Sequence, residues 1–129
     1  MSESNFWKTV KRNLPSDCHS TRIENRNGGG VPDVHIVWNG FAFWIELKVC
    51  KGNKVLLSPH QIAWNSAYCR KGGVSFILVQ VPRQKSIVLF DGSQASEIFD
   101  KGIDAKTLYR GSCFKELFSK IGAWGLGSN

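Results

Sequence analysis

Residues 32–48 read PDVHIVWNGFAFWIELK, and this stretch decides the fold. Asn39-Gly40 sits between two apolar runs. A type I′ turn needs φ > 0 at both central residues, which Asn and Gly accept at low cost, so the dipeptide predicts a two-residue β-hairpin. Pairing then sets Trp38 opposite Phe41, Val37 opposite Ala42, Ile36 opposite Phe43 and His35 opposite Trp44. Val34 falls opposite Ile45, and Asp33 opposite Glu46. Directly opposed residues share a face, with Cβ atoms about 4.5–5.5 Å apart. Two carboxylates at that separation repel unless something positive lies between them, and a divalent cation held by oxygen ligands meets that demand. Lys48 follows two residues further along the same face. The run Phe41–Val49 is apolar on both faces until Glu46 and Lys48, as expected of a central strand whose covering layer opens at its end.

Outward from the hairpin, Asn27-Gly28-Gly29-Gly30 reads as a flexible loop, and a short strand is expected around Thr21–Glu24. Phe6, Val10 and Leu14 recur at helical spacing, which predicts a first helix over about Ser4–Leu14, ended by Pro15. On the other side, Cys50–Lys54 is a basic loop and Ser58-Pro59 is an N-cap with proline at the first helical position. That helix runs to about Arg70, with Ile62, Ala63, Ser66 and Ala67 or Tyr68 as its expected inward stripe. Gly72-Gly73 stops it, and strands follow at Val74–Val81 and Ser86–Phe90. A helix between two strands predicts a right-handed crossover and parallel pairing. Past Asp91, two short helices are expected near Ser93–Lys101 and Cys113–Ile121, then a loose tail from Gly122 to Asn129. The order α-β-β-β-α-β predicts an α/β fold with a mixed sheet flanked by helices. One domain over residues 1–129 is expected, with its core motif at about 20–90 and a C-terminal helical extension at 91–129.

The chain has 129 residues, 42% of them hydrophobic, enough to build a buried core. Its net charge of +7 favours polyanionic partners, most simply nucleic acid. No stretch approaches the ~18 apolar residues of a membrane span. The start MSESNFWKTVKRN lacks the apolar centre of a signal peptide, so a soluble, cytoplasmic protein is expected. Cys18, Cys50, Cys69 and Cys113 form no close pair, which disfavours a zinc site even with His19 beside Cys18. Reduced thiols are the expectation. The glycine run lacks the lysine and hydroxyl residue of a nucleotide-binding loop. His35 is expected to pack near Trp44, and His60 to belong to a helix start.

Pro32-Asp33 followed by Glu46-Leu47-Lys48 on the next strand resembles the PD-(D/E)XK nuclease signature. Arg22-Ile23-Glu24-Asn25, Gly30-Val31-Pro32-Asp33-Val34 and Ser58-Pro59-His60-Gln61 extend the likeness to small phage-type members, near the VRR-NUC group and the archaeal Holliday junction resolvases. The resemblance covers about residues 20–80 and implies a restriction-endonuclease-like sheet. It also implies a Mg²⁺-dependent DNA endonuclease, with Mn²⁺ able to substitute. Asp33, Glu46 and the backbone carbonyl of Leu47 would hold the metal. Lys48 would orient or deprotonate the attacking water or offset phosphate charge, and Gln61 would position water or phosphate. The upstream acid is Glu24 by the motif; Glu3 on the first helix is the alternative. Arg22, Arg26, Lys51, Lys54, Arg70 and Lys71 are the candidate DNA contacts, suited to phosphates rather than base edges. A homodimer cutting branched DNA is the expectation by resemblance, in the cytoplasm or, for a phage-encoded chain, the host-cell interior. A sequence-specific homing or restriction-type cutter and a non-catalytic binding module on the same scaffold are the alternatives.

Overall fold

The computed structural model describes residues 2–23, 29–125 and 127. Helix α1 (Glu3–Arg12) starts where the Ser2 hydroxyl accepts the Asn5 N–H, and it buries Phe6, Trp7 and Val10. Strand β1 (His19–Arg22) pairs antiparallel with β2 (Val34–Trp38), and β2 pairs antiparallel with β3 (Phe41–Val49). The hairpin register is the expected one, from Val34↔Ile45 to Trp38↔Phe41. Its turn places Asn39 at φ 52° and Gly40 at φ 77°, as a type I′ turn requires.

Helix α2 (Pro59–Arg70) carries the chain over to β4 (Ser75–Val81), which lies parallel to β3. Strand β5 (Ser86–Asp91) pairs antiparallel with β4, and helix α3 (Ala95–Lys101) follows. Strand β6 (Tyr109–Gly111) then pairs with β5, and α4 (Phe114–Gly125) closes the described chain. The described residues form a mixed α/β fold: a six-stranded, mostly antiparallel sheet in the order β1-β2-β3-β4-β5-β6, with four α-helices.

Each face of the sheet carries its own apolar cluster. On one, α1 and α4 cover Val34, Ile36, Phe43, Ile45, Leu47, Phe76, Leu78 and Leu89. On the other, residues 50–57 and α3 cover Ile77, Val79, Val88 and Phe90, with Ile62 of α2 packed alongside. Each fully buried Leu, Ile or Phe contributes about 1.5–3 kcal/mol, so the central strands hold most of the fold's apolar stabilisation.

Three expectations need correction. The segment past residue 91 is not purely helical, because β6 extends the sheet there. Three residues are too few to show a strand period; β5 supplies the pairing edge that makes them one. The tail from Gly122 is helical as far as Gly125, since Ile121 is buried and Trp124 packs against the core. Helix α2 turns Ile62 and Asn65 inward, whereas Ala63 and Ala67 are exposed. Asn65 is fully buried because it is satisfied: its Nδ2 donates to the Gln61 carbonyl at 2.8 Å and its Oδ1 accepts from Ser75 at 2.7 Å. A polar residue inside is invisible to a hydrophobic-stripe argument.

Candidate active site

The site grows out of the place where the β2–β3 ladder stops. Asp33 lies one residue before β2, held by its own carbonyl, which accepts the Ile23 N–H at 2.7 Å. Its Oδ2 accepts the Leu47 N–H at 2.8 Å. Continued by one step, the register puts Pro32 opposite Leu47, on the ladder edge where a strand residue would exchange both backbone bonds. Proline has no N–H to give. The Leu47 carbonyl is thus directed at the edge of β3 nearest Asp33, facing a residue that cannot donate to it.

Glu46 is 1% exposed, a rare place for a carboxyl without a charged partner. Its Oε2 accepts Gln61 Nε2 at 3.2 Å, while its Oε1 is buried with no hydrogen-bond partner. Gln61 is pinned at both ends of its amide. Its Oε1 accepts the Ser58 N–H at 2.9 Å in a capping box at the start of α2. The motif that starts the helix therefore also aims a donor at Glu46.

The Glu46 carboxyl is pushed up from 4.5 to about 10. Burial is the largest cause, followed by the charge of Asp33; Lys48 pulls the other way and Glu3 adds a smaller push. These influences favour the neutral form of the Glu46 carboxyl in the metal-free protein. Lys48 is itself buried, at 9% exposure, on the same sheet face as Glu46. Among the described residues the ion pair closer than 4 Å is Lys101–Glu97 on α3, so Lys48 acts on the carboxylates at longer range.

Glu3 joins from α1. Its carboxyl is also raised, first by desolvation and then by Asp33, with Lys48 opposing. The sequence favours Glu24 over Glu3 because a terminus frays. The Ser2 cap and buried Phe6, Trp7 and Val10 anchor this terminus, and they bring Glu3 into the field of the site. Glu24 and Arg26 lie outside the described residues. No group of three or more His, Cys, Asp or Glu side chains that could hold one metal ion occurs among the described residues. Asp33 and Glu46 face each other's charge where the β2–β3 ladder stops, and Glu3 adds a smaller one.

The donor set fits a hard divalent cation: two carboxylates, one with an unpartnered buried oxygen, beside a backbone carbonyl whose ladder partner lacks an N–H. An ion there would favour the ionised form of the Glu46 carboxyl.

The predicted DNA contacts divide. Lys51 and Lys54 are exposed in the tight turn after β3, where Lys51 and Lys54 exchange backbone hydrogen bonds at 2.9 Å. Arg70 and Lys71 are exposed at the far end of α2, about 15 Å along the helix from Gln61. Arg22 is opposite Val34 and lies 5.8 Å from the centroid of the Trp7 ring, so it faces α1 and not the carboxylates. A cavity of about 520 Å³, lined in part by Asp91, Lys106, Lys120 and Trp124, belongs to the β5–α4 side and contains none of the site residues. The carboxylates instead lie where the β2–β3 ladder stops, with Asp33 half-buried and Glu46 buried.

Comparison with known proteins leaves the reading to these residues. The chain matches no protein-family model, and no curated protein resembles it closely enough to count as a relative.

Gly30 links the glycine loop to the site. It has φ 81°, and a Cβ there would overlap the His60 carbonyl and crowd the Gln61 nitrogen. Gly30→Ala is therefore expected to lift the loop off α2, displacing Asp33 and costing about 2–4 kcal/mol. Urea unfolding of both proteins measures it; a loss under about 0.5 kcal/mol would show that the loop does not rest on α2.

Proposed function

We propose that this chain is a divalent-metal-dependent DNA endonuclease of the PD-(D/E)XK type on a restriction-endonuclease-like fold. The observation that carries this reading is the buried Glu46 carboxyl, with one oxygen on Gln61 and the other unpartnered beside Asp33. The order α1-β1-β2-β3-α2-β4 and the net charge of +7 support it. No helix among the described residues is long and apolar enough to cross a membrane.

Asp33, Glu46 and the Leu47 carbonyl would hold Mg²⁺ or Mn²⁺, both of which take oxygen donors. When bound, such an ion supplies Lewis-acid polarisation of the scissile phosphate and neutralises developing negative charge. Lys48, buried on the same sheet face as Glu46, would hold the attacking water or compensate charge on the phosphate. Gln61 keeps Glu46 oriented through the amide that Ser58 fixes. Lys51 and Lys54 bind flanking phosphates without reading bases. Branched DNA cut by a homodimer is the substrate we favour, by resemblance to the junction resolvases, with a sequence-specific cutter as the alternative.

The test is nicking of supercoiled plasmid, followed by cleavage of a four-way junction, a flap and a matched duplex. Mg²⁺-dependent nicking that EDTA abolishes is the expected result. Absence of cutting with both Mg²⁺ and Mn²⁺ would overturn the enzyme, and equal cutting of junction and duplex would remove the branched substrate alone.

A further inference from the structure

Helix α2, residues 50–57 and α3 cover the β3–β5 part of one sheet face, but no described residue covers its β1–β2 part, where His19, Thr21 and Val37 are exposed. The register assigns His19, Thr21, His35, Val37, Ala42 and Trp44 to this open area. His19, Thr21, Val37 and Ala42 are exposed there; Val37 is 37% exposed, whereas its neighbour Ile36, on the opposite face, is 0%. The wall of the open area is α2. Gln61, Trp64, Tyr68 and Lys71 recur at i, i+3, i+7 and i+10, which places them on one stripe of the helix.

Floor and wall meet in a row of rings. His35 lies 4.8 Å from Trp44, Trp44 lies 5.8 Å from Trp64, and Trp64 stacks on Tyr68 at 4.6 Å with an interplanar angle of 22°. All four are partly exposed. The row begins one strand step from the Asp33–Glu46 pair, since His35 and Trp44 are the next opposed residues on that face. At the other end of the stripe stands exposed Lys71. Apart from the site's own acids, none of the described residues named on this floor or wall carries negative charge.

We propose that this row is a stacking platform for unpaired bases of the DNA strand whose phosphate lies at the carboxylates, so that the substrate is single-stranded next to the cut. Aromatic rings in a positively charged groove bind single strands through the π-face that every base offers. A base still paired in duplex cannot present that face, so the platform selects strands with unpaired nucleotides. The proposal rests on the nuclease reading for the position of the phosphate; the base-binding claim stands on the rings.

The test separates the two by measuring binding without cleavage. Fluorescence anisotropy in EDTA compares a labelled oligothymidylate with a fully paired duplex of equal length, for wild type, Trp64→Ala, Trp64→Phe and Tyr68→Ala. Circular dichroism checks that each variant is folded. Trp64→Ala is expected to weaken single-strand binding about 5- to 150-fold, the range for loss of one stacked base, while duplex binding changes less than about twofold. Trp64→Phe retains most of the affinity. Equal loss on both DNAs, or no loss on either, overturns the platform. A change in sedimentation of the free protein with oligonucleotide binding intact would overturn it too, assigning the face to a second copy of the chain. If single-strand binding depends on Trp64 but plasmid is never cut, the platform stands and the nuclease reading falls; cutting with Trp64-independent binding gives the reverse.

Discussion

Glu46→Gln is expected to abolish Mg²⁺-dependent cleavage, by at least about 10³-fold, and to stabilise the metal-free protein at alkaline pH. The two effects have one origin. The folded carboxyl titrates near 10, against 4.5 for an ordinary glutamate, so above pH 4.5 the unfolded chain releases a proton that the folded protein keeps. This group's stabilisation is complete below the lower value and is lost as pH rises toward the upper one, at up to about 1.4 kcal/mol per pH unit. Glutamine fills the same volume and never ionises. Thermal melts in EDTA at about pH 5 and about pH 8.5 should show wild type falling with pH while the variant stays flat, a gap of a few kcal/mol or roughly 10 °C at the higher pH. Parallel pH dependence in both proteins would show that Glu46 ionises normally, and the cation argument built on its burial would fail with it.

Lys48→Met should lower the cleavage rate by about 10²- to 10⁴-fold, the range for a positioned proton-transfer group or a lost charge at the reacting phosphate. Folding should survive, because methionine fills the path of the aliphatic stem. A second consequence separates Lys48 from a merely structural lysine. Lys48 lowers the Glu46 pKa, so its loss raises that pKa further and makes the exchange of proton for cation harder. Mg²⁺ affinity of the variant should be weaker at pH 7 and recover as pH rises, measured by calorimetry at both pH values. A variant with wild-type rate, or with the same pH dependence of Mg²⁺ affinity as wild type, would remove Lys48 from the site.

How much of this was readable in the chain depends on the range of the interaction. The hairpin register was, because the Asn39-Gly40 turn fixes it over a few residues. The start of α2 was as well: Ser58, Pro59 and Gln61 carry a local capping signal. The inward face of α2 was not. Asn65 is buried through Ser75, ten residues away, and no periodicity marks such a pair. That Glu3 feels the charge of Asp33 was not legible either, since it depends on α1 packing under the sheet.

The sequence by itself determined the opposed carboxylates Asp33 and Glu46 and the lysine on their face. These follow from turn chemistry and the two-residue period of a strand, which act locally. Only the tertiary structure decided that Glu46 is buried, that one of its oxygens has no partner, and that Trp44 and Trp64 meet beside it. Burial and ring contacts depend on which helix covers which part of a sheet face. That is set by packing among segments far apart in the chain, which no local pattern encodes.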